Sequence, residues 1–331
     1  MIAHSVDDPF YYLHNFRQVL AWVGQRYEDL LDEQEKAFIA AFTQLEAPAQ
    51  ALLLRMVIRK GELFRADRLE YDEIGDTCQA LQPLQALGWV REPERLELEQ
   101  LFALLRKDEL ANCFADRLSR PRAAKHEWLS HLQQMALAPR SLAEWFPATG
   151  VRIYEWCLQP VCDRIRLLFF GNLYQDWSDF VLADLGVMRY EHVPFSADSR
   201  ALQQRTDLDL AMALHRCAER LDQGDDTLSI LATLQGLRSE NPWLARRQAR
   251  LLFALGQQCE RQGEWDQAMA VYTQCSHAQA RIRQVRVLER TQCWAQAHAL
   301  ALQLAAAPAN ALEVQALERM LPRLARKLGG P

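Results

Sequence analysis

Apolar residues recur at spacings of three and four along almost the whole chain of 331 residues. One such stripe consists of Leu13, Phe16, Val19, Leu20 and Val23. This spacing places the apolar side chains on one face of an α-helix, whereas the alternation typical of strands is rare. The best short strand candidates lie near residue 64 and at residues 88–90. The pattern therefore predicts a mainly α-helical protein.

The charge balance excludes a protein that is basic over its whole surface. The formal net charge is -5, and 33 of the 38 basic residues are arginine. Binding of DNA or RNA would therefore need a local basic patch, in which arginine can hold a phosphate through two hydrogen bonds. The abundance of Arg, Ala and Leu is consistent with GC-rich coding in a bacterium.

No segment of the sequence favours a membrane helix, an export signal or a zinc site. No apolar run reaches the roughly 18 residues of a membrane helix, and the first residues lack the pattern of a signal peptide. The eight cysteines form no C-x-x-C pair, so we expect reduced, buried thiols. His126 and His131 are five residues apart, which points them to different faces of a helix. We expect a cytoplasmic protein with no membrane partner and no metal ligand in this chain.

Residues 35–90 have the outline of a winged helix-turn-helix. Helices are expected over about 35–45, 49–60 and 74–84, with a partly extended segment after the second helix. Between positions 55 and 68, two acids stand against five basic residues, which are Arg55, Arg59, Lys60, Arg65 and Arg68. Such a locally positive module would present these side chains to the phosphates of DNA.

A second basic segment follows at residues 117–125. It contains no acid, and its four basic residues are Arg117, Arg120, Arg122 and Lys125. Pro121 makes the segment a loop or a helix boundary. The segment is either a phosphate-facing basic loop or a solvated charged turn, and the sequence leaves both interpretations open.

The last third of the chain repeats itself. Residues 260–271 and 289–300 are 29 positions apart and share six of twelve residues, including Trp265 and Trp294. This period predicts stacked helical hairpins that look like tetratricopeptide repeats, and an irregular helical bundle is the alternative. The arginines at 281, 283, 286 and 290 are either a DNA-facing ridge or a solvated helix face.

Several motifs occur together in a characteristic order. They are Tyr11-Tyr12-Leu13-x-x-Phe16, Asp32-Glu33-Gln34-Glu35-Lys36, Arg55-Met-Val-Ile-Arg59-Lys60, Leu69-Glu70-Tyr71-x-Glu73-Ile74 and the segment from Phe170 to Gly186. In this combination the chain resembles the Fanconi-associated nuclease family over nearly its whole length. Members of that family are structure-specific DNA repair nucleases with 5′-flap endonuclease and 5′-exonuclease activity.

The resemblance implies three modules and a fold class. Residues 1–92 would be a helix-turn-helix-like DNA-binding module, residues 93–145 a small SAP-like module, and residues 146–331 a tetratricopeptide-like helical domain. In the family, basic residues at the motif of Arg55, Arg59 and Lys60 contact the DNA backbone. Tyr12 and Tyr71 are weaker candidates for stacking or for a phosphate hydrogen bond, and Tyr71 is alternatively a core residue.

The family's VRR-type nuclease domain has no counterpart in this sequence. Its PD-(D/E)-x-K centre uses Mg or Mn, yet none of the five lysines follows an acid at the required spacing. We therefore expect no catalytic residue and no cofactor in this chain, which would be inactive alone. The missing domain is expected either in cis or as a separate chain, and the DNA partner to be branched or to carry a 5′ flap. The alternative is a helical-repeat scaffold that binds protein and no DNA.

Overall fold

The structure is a computed structural model that describes residues 9–59, 61–118, 123–147, 149–178 and 199–329. The chain divides into two compact units, one up to residue 194 and one from residue 195. Both units are built mainly from helices, which confirms the prediction of a mainly α-helical fold. No helix among the described residues is long and apolar enough to cross a membrane.

The first unit consists of helices and a small sheet. Among the described residues, its helices are α1 (Tyr11–Arg26), α2 (Glu33–Gln44), α3 (Ala47–Ile58), α4 (Thr77–Ala86), α5 (Leu98–Leu104), α6 (Lys107–Cys113), α7 (Lys125–Gln133), α8 (Leu142–Trp145) and α9 (Gln159–Phe170). Asp32 begins α2 with a capping box, because its side chain accepts from Glu35 N and Glu35 accepts from Asp32 N. The three helices predicted over residues 35–90 are therefore present as α2, α3 and α4.

The sheet joins segments that are distant in sequence. Its strands are β1 (Leu63–Arg65), β2 (Val90–Arg91) and β3 (Ile153–Trp156). β3 lies in the middle and pairs antiparallel with both others, with Phe64 opposite Tyr154 and Val90 opposite Trp156. The two strand candidates are thus strands, but each pairs with a third strand that sequence patterns did not reveal.

β3 and α9 lie in the first unit, although the expected boundary at residue 146 would place them in the helical domain. β3 completes the sheet of the first unit, and α9 packs on α1 and α2. Arg164 of α9 forms an ion pair with the fully buried Glu35 of α2. Residues 153–170 therefore belong to the first unit, because backbone pairing and a buried charge bind them there.

The SAP-like module has a hydrophobic core that also includes Ile153 of β3. Leu101, Leu110, Phe114 and Trp128 are buried together, and the indole of Trp145 donates a 3.0 Å hydrogen bond to the carbonyl of Leu96.

Elsewhere in the chain, Cys162, Cys217, Cys259 and Cys275 are buried as predicted. Cys78 and Cys157 are exposed, so the prediction of buried thiols is corrected for these two.

The second unit is an array of helical hairpins. Its helices are α10 (Arg205–Asp222), α11 (Thr227–Gly236), α12 (Pro242–Gln262), α13 (Trp265–Thr273), α14 (Ala280–Arg290), α15 (Trp294–Ala306) and α16 (Ala311–Lys327). Trp265 and Trp294 are the first residues of α13 and α15, and Ala268 and Ala297 are both fully buried. The equivalence predicted from the 29-residue echo is therefore confirmed, while the assignment to the tetratricopeptide class stays a prediction.

Candidate nucleic-acid interface

Arg55 lies in the last turn of α3 and is held by a carboxylate. Its Nε and Nη2 donate to Oε1 of Glu73 at 3.0 and 2.5 Å. Burial raises the pKa of Glu73, but the hydrogen bonds from Arg55 and from the Tyr12 hydroxyl outweigh it, so the pKa is below its ordinary value. The predicted DNA ligand is thus already part of an ion pair, with 34% of its side chain exposed.

The two candidate tyrosines flank this arginine. The Arg55 guanidinium carbon lies 4.3 Å from the ring centroid of Tyr12 and 4.8 Å from that of Tyr71. Tyr12 is only 2% exposed, and burial is the main reason that its pKa is raised. A direct DNA contact by Tyr12 is therefore corrected to a role inside the module, whereas Tyr71 is half-buried.

Arg59 and Arg68 form an exposed basic pair at the end of α3. Nη1 of Arg59 donates a 2.7 Å hydrogen bond to the backbone carbonyl of Arg68. Both residues are exposed, and both line a cleft of about 460 Å³ that the carboxylates of Glu62 and Glu155 also line. Two guanidinium groups at one cleft can donate several hydrogen bonds to phosphate oxygens.

Arg65 lies on the inner side of the same segment. Its side chain is 3% exposed and forms ion pairs with Asp67 at 2.8 Å and with Glu109 at 2.5 Å. Because its guanidinium is buried and paired with two carboxylates, a DNA contact by Arg65 is corrected to a structural role. Pattern analysis could not separate it from Arg59 and Arg68, since its partner Glu109 comes from the next module.

The second basic segment contributes Lys125 at the start of α7. Its Nζ donates a 2.8 Å hydrogen bond to the carbonyl of Leu105. Burial and the positive charge of Arg68 lower the pKa of Lys125. Arg117 is half-buried, and Lys60, Arg120 and Arg122 lie outside the described residues.

Glu73 is the site residue that sequence reasoning missed. It stands in the Tyr71-x-Glu73 motif that supported the family resemblance, but an acid is not a ligand for phosphate. Its carboxylate accepts from both Arg55 and Tyr12. Acids at positions 70, 72 and 76 surround Glu73, so the sequence carried no signal that singled it out.

The arginines of α14 include two that connect neighbouring helices. Arg283 pairs with Glu260 of α12 at 3.2 Å, and Arg281 pairs with Glu313 of α16 at 3.4 Å. These two side chains thus form ion pairs with neighbouring helices, which neither sequence interpretation included. Arg286 and Arg290 are exposed.

The arrangement in the first unit suits binding of an anionic chain. Exposed cations come from the end of α3 and the turn at Arg68, and the half-buried Lys125 lies at the start of α7. Contacts of this kind to phosphate are independent of base sequence. Among the residues that the structure describes, no cluster of three His, Cys, Asp or Glu side chains could hold a metal ion.

Two family models match the first unit. The model described as "FAN1, HTH domain" matches residues 10–91, and the model described as "Fanconi anemia-associated nuclease SAP domain" matches residues 95–145. The two matches cover the segments that carry the exposed pair and Lys125.

Similar proteins of known family are longer than this chain. The Fanconi-associated nuclease 1 homolog of Pseudomonas aeruginosa is 53% identical over 327 residues, which is 99% of this chain and 58% of that protein. Human Fanconi-associated nuclease 1 is 33% identical over 230 residues, which is 60% of this chain and 22% of the human protein. The chain thus spans little more than half of the bacterial relative.

Two solved structures have the same fold over nearly the whole chain. The crystal structure of paFAN1 bound to 2nt 5′ flap DNA with gap is 52% identical, with a TM-score of 0.93 over 99% of this chain and 60% of that chain. The structure of paFAN1 bound to 1nt 5′ flap DNA with gap gives a TM-score of 0.91 at 53% identity, over 98% of this chain and 60% of that chain.

Proposed function

This chain belongs to the Fanconi-associated nuclease family, and we propose that it is the DNA-binding and scaffold portion of a structure-specific DNA repair nuclease. The whole protein would act as a 5′-flap endonuclease and 5′-exonuclease of the phosphodiesterase I type in interstrand cross-link repair. The protein would act on DNA in the bacterial cytoplasm, at the nucleoid.

The observation that carries this proposal is the exposed pair of Arg59 and Arg68, joined by a hydrogen bond at the end of α3. Lys125 adds a third positive charge from the SAP-like module. Together these cations would neutralise neighbouring phosphates of one DNA strand. Lys60, Arg120 and Arg122 stay predicted contributors to the same surface.

The preferred DNA is proposed to be branched, with a 5′ flap. Support comes from the paFAN1 structures, which are described as bound to 5′ flap DNA and are 52% and 53% identical to this chain. The cleavage step would need Mg or Mn held by carboxylates of a nuclease domain. No D/E-x-K sequence occurs in these 331 residues, so that domain is proposed to be supplied in cis or by another chain.

Titration of fluorescently labelled 5′-flap DNA and of a plain duplex with the purified chain tests this function. We expect binding to both at low salt, tighter binding to the flap, and an affinity that falls steeply with salt because counterions are released from the DNA. A protein-interaction scaffold without DNA binding, the alternative, would leave both DNAs free even at low salt.

A further inference from the structure

One oxygen of Glu73 collects three hydrogen bonds at the base of the proposed DNA surface. Oε1 accepts from Nε and Nη2 of Arg55 and from the hydroxyl of Tyr12, the last at 3.0 Å. Only 12% of the Glu73 side chain is exposed. The carboxylate is therefore too deeply placed to meet DNA itself, but it restrains a guanidinium that is one helical turn from Arg59.

The ring of Tyr71 connects the restrained Arg55 to the exposed Arg59. Arg55 lies between the rings of Tyr12 and Tyr71, and the Tyr71 ring also lies 5.3 Å from the guanidinium carbon of the exposed Arg59. The hydroxyl of Tyr71 is buried without a hydrogen-bond partner among the described residues. Cation–π contacts with the two arginines therefore help to fix the position of this ring.

We propose that Glu73 is a positioning residue for DNA binding. Its carboxylate holds Arg55, Arg55 holds the ring of Tyr71, and that ring restrains Arg59 in an orientation that can meet a phosphate. A long side chain restrained before binding loses less conformational freedom when it binds. This inference rests on the proposed function, since it assigns a role within the same DNA surface.

The negative charge of Glu73 and its positioning role predict opposite changes in DNA affinity when the carboxylate is removed. Removal of a negative charge beside a phosphate-binding surface would by Coulomb's law alone tighten DNA binding. Removal of the acceptor that restrains Arg55 would weaken it. Glu73→Gln removes the charge and keeps an acceptor oxygen for Arg55 and Tyr12, whereas Glu73→Met removes both and keeps a similar length.

The experiment compares these two uncharged variants in the full chain. Dissociation constants for labelled 5′-flap DNA are measured over a range of salt concentrations, well below the unfolding temperature of each variant. We expect Glu73→Met to bind roughly two- to ten-fold more weakly than Glu73→Gln, with the same dependence on salt. Equal affinities, or tighter binding by Glu73→Met, would overturn the proposal, and a role in stability alone would lower the unfolding temperature while leaving the two affinities equal.

Arg55→Lys provides a second test if Glu73→Met fails to fold. This change keeps the charge of the wild type but loses the planar group that stacks between two rings. We expect weaker binding at an unchanged salt dependence, and wild-type affinity would contradict the proposal. If the wild type binds no DNA at low salt, the proposed function fails with the inference, whereas normal wild-type binding with unaffected variants contradicts the positioning role alone.

Discussion

Nη1 of Arg65 donates a 2.5 Å hydrogen bond to Oε2 of Glu109, 44 residues further along the chain. This contact ties the helix-turn-helix-like module to the SAP-like module. Asp67 accepts from the same guanidinium, and the Asp67 carboxylate also pairs with Arg106 at 3.1 Å. The basic segment thus has an inner residue that joins modules and outer residues available to a ligand.

Replacement of Arg65 by methionine is expected to destabilise the first unit. The change leaves the carboxylates of Glu109 and Asp67 without their main partner, which should lower the free energy of unfolding by about 2–4 kcal/mol. Chemical denaturation of the variant and the wild type measures this difference. Arg68→Met, at an exposed position of the same segment, is the matched control and should have little effect on stability.

The same contact predicts a dependence of stability on pH. Hydrogen bonds from Arg65 lower the pKa of both Glu109 and Asp67 below their ordinary values. Their contribution to stability is therefore present above the ordinary carboxyl pKa of about 4 and is lost as the pH falls through the lowered folded-state values. Thermal unfolding between neutral pH and pH 3 should show a larger loss for the wild type than for Arg65→Met, and parallel curves would contradict this.

Sequence patterns predicted helices well because an apolar stripe such as Leu13, Phe16 and Leu20 depends only on residues three or four positions apart. They missed β3, whose four residues gain their hydrogen bonds from strands about 60 and 90 residues earlier. They also could not rank the basic residues, since Arg65 and Arg68 differ only in partners supplied by the fold. The repetition of Trp265 at Trp294 correctly predicted equivalent helix starts, because each repeat packs against the same kind of neighbouring repeat.

Gly256 of α12 is expected to tolerate no side chain. A Cβ atom there would lie 2.5 Å from Cε1 of Tyr272, whose hydroxyl donates a 2.6 Å hydrogen bond to Glu260 and so restrains the ring. Gly256→Ala should lower the free energy of unfolding by about 1–3 kcal/mol. Gly236→Ala is the control, because a Cβ there meets nothing within 4 Å, and it should be neutral or stabilising.

The turns at Gly263 and Gln292 are equivalent in the two repeats, so exchanging glycine for a side chain at one and a side chain for glycine at the other should change stability in opposite directions. Gly263 precedes α13 with φ at +80°, and Gln292 takes the corresponding place before α15 with φ at +60°. A side chain in this left-handed region costs about 1 kcal/mol. Gln292→Gly should therefore raise the midpoint of thermal unfolding and Gly263→Ala should lower it, and shifts of the same sign would contradict the equivalence of the turns.

This chain alone is expected to leave DNA uncut with either Mg or Mn present. The resemblance assigns cleavage to a carboxylate–lysine centre that places metal on the scissile phosphate, and the sequence has no D/E-x-K. Tight binding does not replace it, because equal stabilisation of ground and transition states leaves the chemical rate unchanged. A labelled 5′-flap substrate, incubated with the purified chain and each metal, measures this, and metal-dependent cleavage that survives further purification would contradict it.

The most direct test of DNA binding by the first unit is the salt dependence of affinity in a charge-reversal pair. Arg59→Glu/Arg68→Glu alters the exposed pair, and Arg319→Glu/Arg326→Glu makes the same change in charge at exposed positions of α16. The first variant should lose at least ten-fold in affinity for 5′-flap DNA near 0.1 M salt, and its slope of log K against log salt should be shallower by about 2. The second should stay close to the wild type, whereas an unchanged affinity and slope in the first variant, or equal losses in both, would contradict the assignment of DNA binding to this surface.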